Sequence, residues 1–230
     1  MKIQYLGHAA FWIEGSVKIL VDPFLTGNPT AAVSAAEVCP DYILISHGHS
    51  DHFGDALDIA KRTGAIIVGA NELALFCQTQ GVNVHAMHIG GNHRFTEQFS
   101  VKLTTAIHGS AYDAGSREYL GLACGFLIRL DGQTLYFAGD TALTYDMKAV
   151  IGDFNVIDVA MLPIGDNFTM GPDDARVAAK WLNPKKIIPM HYNTYPLIAQ
   201  DAAAFRAAVE GECPGIEVAC LTPGQVLELS

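Results

Sequence analysis

The segment ISHGHSDH, residues 45–52, puts three imidazoles and a carboxylate into six consecutive positions at the end of an apolar run. So many lone pairs suit either a solvated histidine-rich loop or a divalent cation. A mixed imidazole and carboxylate set fits zinc and the neighbouring transition metals. His47 and His49, two apart, can reach one ion while Asp51 and His52 face a second. Further along, single ligand-type residues again end apolar runs: His108 after KLTTAI, Asp140 after TLYFAG, His191 after IIPM. Two doubly charged ions side by side need a negative ligand between them. Asp140, delivered into a turn relaxed by Gly139, is the natural bridge. His108 and His191 would then complete one ligand set each. A histidine-rich loop leaves Asp140 and His191 without a reason.

The elements that must position these residues are legible as apolar runs. KIQYLGH, AFWIEG and VKILVDP alternate as strands, the last two joined through Gly15-Ser16 as a hairpin. DYILIS is a buried strand, and HFGDALDIAKRTG has helical spacing up to Gly64. AIIVG is a strand and NELALFCQTQG a helix with Asn71 as its expected N-cap. Strands are expected at 82–87, 99–107, 121–130, 133–138 and 158–164. A helix follows over 172–182 with Pro172 in its first turn, then strand KKIIPM, helix DAAAFRAAVEG and two short closing strands. The pattern is α/β, too rich in hairpins for a doubly wound parallel sheet. It predicts two packed sheets with helices outside, a four-layer αββα sandwich. No repeat or linker divides the chain, so residues 1–230 are expected to form a single domain.

Composition narrows the partners. Half of the 230 residues are apolar and 17% are charged, which suits a large packed core. The net charge is −10 with only fourteen Lys and Arg, so a nucleic-acid substrate is disfavoured. The densest basic stretch, NPKK at 183–186, reads as a helix C-terminal cap. No apolar run reaches the roughly 18–20 residues that span a bilayer; AVIGDFNVIDVAMLPIG is broken by Asp153 and Asp158. The opening residues alternate polar and apolar, unlike a secretory leader. Five cysteines without a CxxC pair suggest buried free thiols and a cytoplasmic location. No membrane association is expected, and homo-oligomerisation is left open.

HGHSDH matches the pattern H-x-H-x-D-H. With the later His, Asp, His order, the chain resembles the metallo-β-lactamase superfamily over essentially its whole length, LVDP included. The resemblance implies that His47, His49 and His108 hold one metal, that Asp51, His52 and His191 hold the other, and that Asp140 bridges. LPIGDNFTMGPDDA and IPMHYNTYPLI look like motifs of a branch of metal-dependent hydrolases related to ascorbate-6-phosphate lactonase. True β-lactamases of the superfamily usually carry cysteine where Asp140 stands. Thioesterases of the glyoxalase II type add a C-terminal helical region this chain is too short to hold. Flavodiiron oxygen reductases have glutamate in place of His49. What remains is a small dinuclear hydrolase with two divalent ions, zinc by default, although Mn, Ni or Fe fit the same donors. A metal-bridging hydroxide, its pKa lowered to about 7, would cleave a small-molecule ester, lactone or phosphoester. By the same resemblance Asp51 would either orient that hydroxide and take its proton or serve as a metal ligand alone. Alternatives are an iron-dependent persulfide dioxygenase, which can share this ligand set, and a nuclease or phosphodiesterase.

Other residues carry two readings each. Asp22, in LVDPF, either fixes the tautomer of a ligating histidine or is a turn residue before Pro23. His8 either borders the site as a proton donor or substrate contact or is a hydrogen-bonded strand-end histidine. GDNFTMGP lies before a helix N-terminus, where Asp166 and Asn167 are candidate substrate contacts; the alternative is plain connection and capping. Asn193 follows His191 closely and is a third candidate contact, whereas Tyr192 and Tyr195 read equally as packing residues. His85, His88 and His93 lie outside the ligand order and read as solvated. Phe11, Trp12 and Phe24 read as core.

Overall fold

A computed structural model describes residues 1–229. Its first sheet is built from β1 (Lys2–Gly7), β2 (Ala10–Glu14), β3 (Lys18–Val21), β4 (Tyr42–Ile45), β5 (Ile66–Ala70) and β6 (Val84–Met87). The second takes β7 (Asn92–Arg94), β8 (Phe99–Thr105), β9 (Cys124–Leu130), β10 (Gln133–Phe137), β11 (Val159–Pro163), β12 (Lys186–Met190) and β13 (Glu217–Val218). The last strand, β14 (Val226–Glu228), returns to the first sheet and pairs antiparallel with β1. Each sheet has seven strands, in the orders β14-β1-β2-β3-β4-β5-β6 and β13-β12-β11-β10-β9-β8-β7.

Between the sheets lies a core of alternate strand residues, Ile3, Phe11, Leu44, Phe126, Phe137 and Ile188 among them. The opposite faces are covered by helices. α1 (Ser50–Phe53), α2 (Ala56–Thr63) and α3 (Asn71–Thr79) lie on the first sheet through Phe53, Ile59 and Leu73. α4 (Pro172–Leu182) and α5 (Ala202–Glu212) lie on the second through Ala178, Leu182 and Phe205. The order of layers is αββα, as the run of strands and helices predicts. No helix among the described residues is long and apolar enough to cross a membrane.

Strand direction gathers the candidate ligands. β8 and β10 are both antiparallel to β9, and β10, β11 and β12 are parallel, so β8, β10 and β12 run the same way. His108, Asp140 and His191 therefore leave one edge of the second sheet. β4 delivers Ser46 and His47 to the same place from the first.

Several details differ from expectation. The helix predicted over 52–64 is split at Gly54, where φ is 44°. The break turns α1 so that Asp51 and His52 face the strand edge while α2 packs flat. A Cβ on Gly54 would sit 2.2 Å from the Pro23 carbonyl oxygen. Gly54→Ala is thus expected to lose ~2–3 kcal/mol of stability, readable as a lowered urea midpoint. Asn71 is the first helical residue rather than the cap, because β5 runs directly into α3 and Ala70 takes the cap position without a side-chain bond. β7 escaped the sequence reading: its three residues are exposed and polar, with no apolar alternation. Trp12 is half-buried and lines an outer cavity, whereas Phe11 and Phe24 are core. All five thiols are free, but only Cys77 and Cys124 are buried. In NPKK, Asn183 caps α4 with a left-handed backbone, and Lys185 and Lys186 pair with Asp158 and Glu217.

Candidate metal centre

The site begins one shell behind its ligands. Asp22 is fully buried at the end of β3, and its two oxygens take three donors. Oδ1 accepts from the Ser46 N–H at 2.7 Å; Oδ2 accepts from Ser46 Oγ–H at 2.5 Å and from His52 Nδ1–H at 2.7 Å. With its proton committed to Asp22, Ser46 Oγ is an acceptor, so His47 Nδ1, 2.9 Å away, is the donor. The network thereby assigns both tautomers and turns Nε2 of His47 and of His52 into the cleft. Burial is the main cause that pushes His47 well below the usual imidazole range, which keeps that Nε2 a lone pair.

The first group forms around it. His47 Nε2 is 3.0 Å from His49 Nδ1, and His108 Nε2 is 3.2 Å from the same nitrogen. One N–H cannot serve both contacts well, so at least one inward lone pair is left unmatched. Three imidazole nitrogens aimed at one point are the donor set of a transition-metal ion.

The second group is His8, Asp51, His52 and His191, whose ligand atoms lie within 4.8 Å of one another. Asp140 stands between the two groups. Its Oδ1 is 3.2 Å from His52 Nε2, and its Oδ2 is 3.0 Å from His191 Nε2 and 3.5 Å from His108 Nε2. His52 Nε2 and Asp140 Oδ1 are both buried without a satisfying hydrogen bond. Such orphaned pairs are rare unless something unrepresented completes them.

The electrostatics point the same way. Burial alone would raise the Asp140 acid, but His191 and His52 outweigh it and hold it well below the carboxylate range. Burial would lower His52, but Asp140 and Asp22 outweigh that and raise it well above the imidazole range. Two buried carboxylates thus call for positive charge at His52 Nε2, which either a proton or a metal ion supplies. The residues fit the binding of divalent metal.

All seven predicted ligands converge, and Asp22 takes the tautomer-fixing place. His8 borders the site with Asp51, His52 and His191 but is 1% exposed and is not among the residues lining the cleft. Instead its Nδ1 meets Thr194 Oγ1 at 2.8 Å and its Nε2 meets Asp51 Oδ2 at 3.2 Å, so it orients the Asp51 carboxylate. None of the three expected substrate contacts lines the cleft. Asp166 and Asn167 are exposed with left-handed backbones, and the Asp166 carboxylate is turned back onto the Asn167 N–H. Both ends of the Asn193 amide close a turn onto the Gln200 backbone, and the residue lines a different cavity. His85 and His93 stack on each other at 4.0 Å between ring centroids, apart from the site.

The cleft over the ligands has a volume of about 250 Å³ and is lined by His49, Asp51, His108, Asp113, Asp140, Phe168 and His191. Asp113 has no sequence signal, whereas Phe168 lies in GDNFTMGP, a segment whose place between a strand and a helix N-terminus suits lining a pocket, although its ring is not singled out there. Asp113 accepts the Ser50 N–H at 2.7 Å and so ties its loop to the first turn of α1. His8, Asp22 and His191 all have left-handed backbones, with φ of 58°, 43° and 57°. At about 1–3 kcal/mol each, that strain is concentrated where the site must be held in one shape.

A sandwich of this topology with ligands at the shared sheet edge defines a metallo-hydrolase fold. The family profile of the β-lactamase superfamily domain matches residues 2–191. The chain belongs to the metallo-β-lactamase superfamily, among its metal-dependent hydrolases. It is 54% identical over 231 residues, with complete coverage of both chains, to a UPF0173 metal-dependent hydrolase of Pelotomaculum thermopropionicum. It is similar to Igni18, a metallo hydrolase of Ignicoccus hospitalis, with a TM-score of 0.90 and 35% identity over 100% of this chain and 99% of that one. A possible metal-dependent hydrolase of Veillonella parvula shares the fold, with a TM-score of 0.79, 20% identity and coverage of 100% and 99%.

Proposed function

We propose that the protein is a dinuclear hydrolase that cleaves a small ester, lactone or phosphoester. The observation that carries this reading is Asp140, whose two oxygens face His108 of one ligand group and His52 and His191 of the other. In this reading His47, His49 and His108 hold one ion, Asp51, His52 and His191 hold the second, and Asp140 is shared. Two divalent cations bound there supply Lewis-acid activation of a water molecule and of the substrate oxygen. The chain's own contribution is orientation. Asp22 fixes His52 directly and His47 through Ser46, and His8 holds Asp51. Asp51, half-buried, keeps an oxygen at the cleft, where it can accept a proton from the attacking water. Phe168 and the Asp113 loop narrow the opening to a small-molecule size.

An iron-dependent dioxygenase with one metal would leave Asp140 without a second group to serve. A nuclease would need cationic side chains, and none lines the cleft. Free thiols accord with a cytoplasmic location.

Removing metal tests the proposal. Dialysis against a chelator should abolish hydrolysis of a generic ester, lactone and phosphodiester panel. Adding Zn²⁺ or Mn²⁺ should restore it, with two ions per chain by elemental analysis. Full activity in the chelated protein, or one iron per chain with no hydrolysis, would refute it.

A further inference from the structure

The same cleft narrows the substrate further, and this inference rests on the hydrolase reading. Past the ligands, two side chains remain to meet the rest of a substrate: Asp113 and Phe168. Phe168 is 55% exposed, in the bend between β11 and α4, with its ring at the rim and no aromatic partner within the described residues. Ile107, directly before His108, is 60% exposed, and Tyr195, whose ring centroid is 6.1 Å from that of His8, is 42% exposed. Large apolar side chains left in water around a concave polar site mark the part of the surface that a ligand covers.

Charge decides the ligand's character. No Lys or Arg lines the cleft, while three carboxylates do. Asp113 spends one oxygen on the Ser50 N–H, and its side chain stays exposed at the wall. Several of the chain's cations are paired well away, as in Lys148 with Asp153, Lys180 with Glu212 and Arg62 on the Ala35 and Val38 carbonyls, and Arg117, on the loop that carries Asp113, is not among the residues lining the cleft. Two divalent ions can receive the oxygen of the scissile group. No cationic side chain lines the cleft to receive a second anionic group, and Asp113 repels one.

We propose that the substrate is uncharged beyond its scissile bond and places an apolar acyl or aryl group against Phe168. A phosphate or carboxylate handle remote from the reacting carbonyl is excluded by the Asp113 wall. An ester or lactone with a short aliphatic or aromatic arm meets these requirements.

The test compares two esters with the same leaving group that differ only by a remote carboxylate, on the metal-loaded protein: 4-nitrophenyl benzoate and 4-nitrophenyl 4-carboxybenzoate, whose carboxylate cannot reach its own ester. The benzoate should have at least a tenfold higher kcat/KM. Phe168→Ala should lower the benzoate value about tenfold through KM. Asp113→Asn should close the gap by raising the carboxybenzoate value. Calorimetric binding of benzamide and 4-carboxybenzamide supplies a readout that needs no turnover, and the neutral amide should bind more tightly. Equal or better use of the carboxybenzoate, or equal or tighter binding of the carboxylated amide, would overturn the substrate class while leaving the hydrolase standing. Absence of bound metal and of any hydrolysis would instead sink the underlying reading, and the amide comparison would then still decide the cleft's preference.

Discussion

If the centre is dinuclear as proposed, Asp140→Asn is expected to lower kcat/KM about 10³-fold and to reduce the metal content from two ions per chain towards one. The asparagine keeps the size and one acceptor oxygen but not the charge. In the native site that carboxylate is 3% exposed and held well below the usual range by His191 and His52, against burial. It is the only side chain whose oxygens face both described ligand groups. Without its charge, two doubly positive ions would lie close in a poorly solvated cleft with little between them. Lewis-acid action is worth several kcal/mol of transition-state stabilisation, and a factor of 10³ is about 4 kcal/mol. Elemental analysis and steady-state kinetics on the same preparation check this. Two retained ions with near-native kcat/KM would remove the bridging role.

The second large effect belongs to a residue that touches no substrate. Asp22→Ala should cost about 3–5 kcal/mol of folding stability in the chelated protein, because three buried donors lose their acceptor. These are the Ser46 N–H, the Ser46 hydroxyl and His52 Nδ1–H. The same change frees the rings of His47 and His52, so metal affinity should fall about 10–100-fold. Urea unfolding in chelator reads the first effect and a competitive chelator titration reads the second. A variant with native stability and weakened metal binding would limit Asp22 to tuning the metals. Native affinity with lost stability would limit it to the core.

The ligands were legible in the sequence because each carries its chemistry in its own side chain and ends a strand that is itself visible as an apolar run. His47, His108, Asp140 and His191 all follow this rule, and the strand edge then gathers them. Asp22 was legible for a related reason, its place after ILV in LVDPF. The walls of the cleft were legible only in part. Phe168 falls in GDNFTMGP, whose place before a helix suits a pocket, but which of its side chains faces the cleft is set by tertiary contacts, as is the path of the Asp113 loop through Asp113 on the Ser50 N–H. Asp166, Asn167 and Asn193 had the right residue types next to the right strands, but all three have left-handed backbones and none lines the cleft: Asp166 and Asn193 turn their polar groups onto the local chain. His8 was expected near the metals and is there, yet its complete burial gives it Asp51 and Thr194 as partners rather than a substrate. β7 and the Gly54 break show the same limit: short polar pairing and helix direction depend on what lies opposite.

The pairing of β14 with β1 has a consequence for synthesis. Met1 and Leu229 exchange backbone contacts, and the His191 N–H donates to the His8 carbonyl at 2.7 Å. A chain emerging from the ribosome therefore holds the HGHSDH residues early but cannot seat His191, nor close the sheet that carries them, until the segments bearing His191 and β14 have been made. Contacts spanning more than two hundred residues are slow to form, and until they do, β1 is an open strand edge able to pair with a neighbouring nascent chain. Production of this protein should thus be limited by what shields that edge during translation more than by the stability of the finished fold.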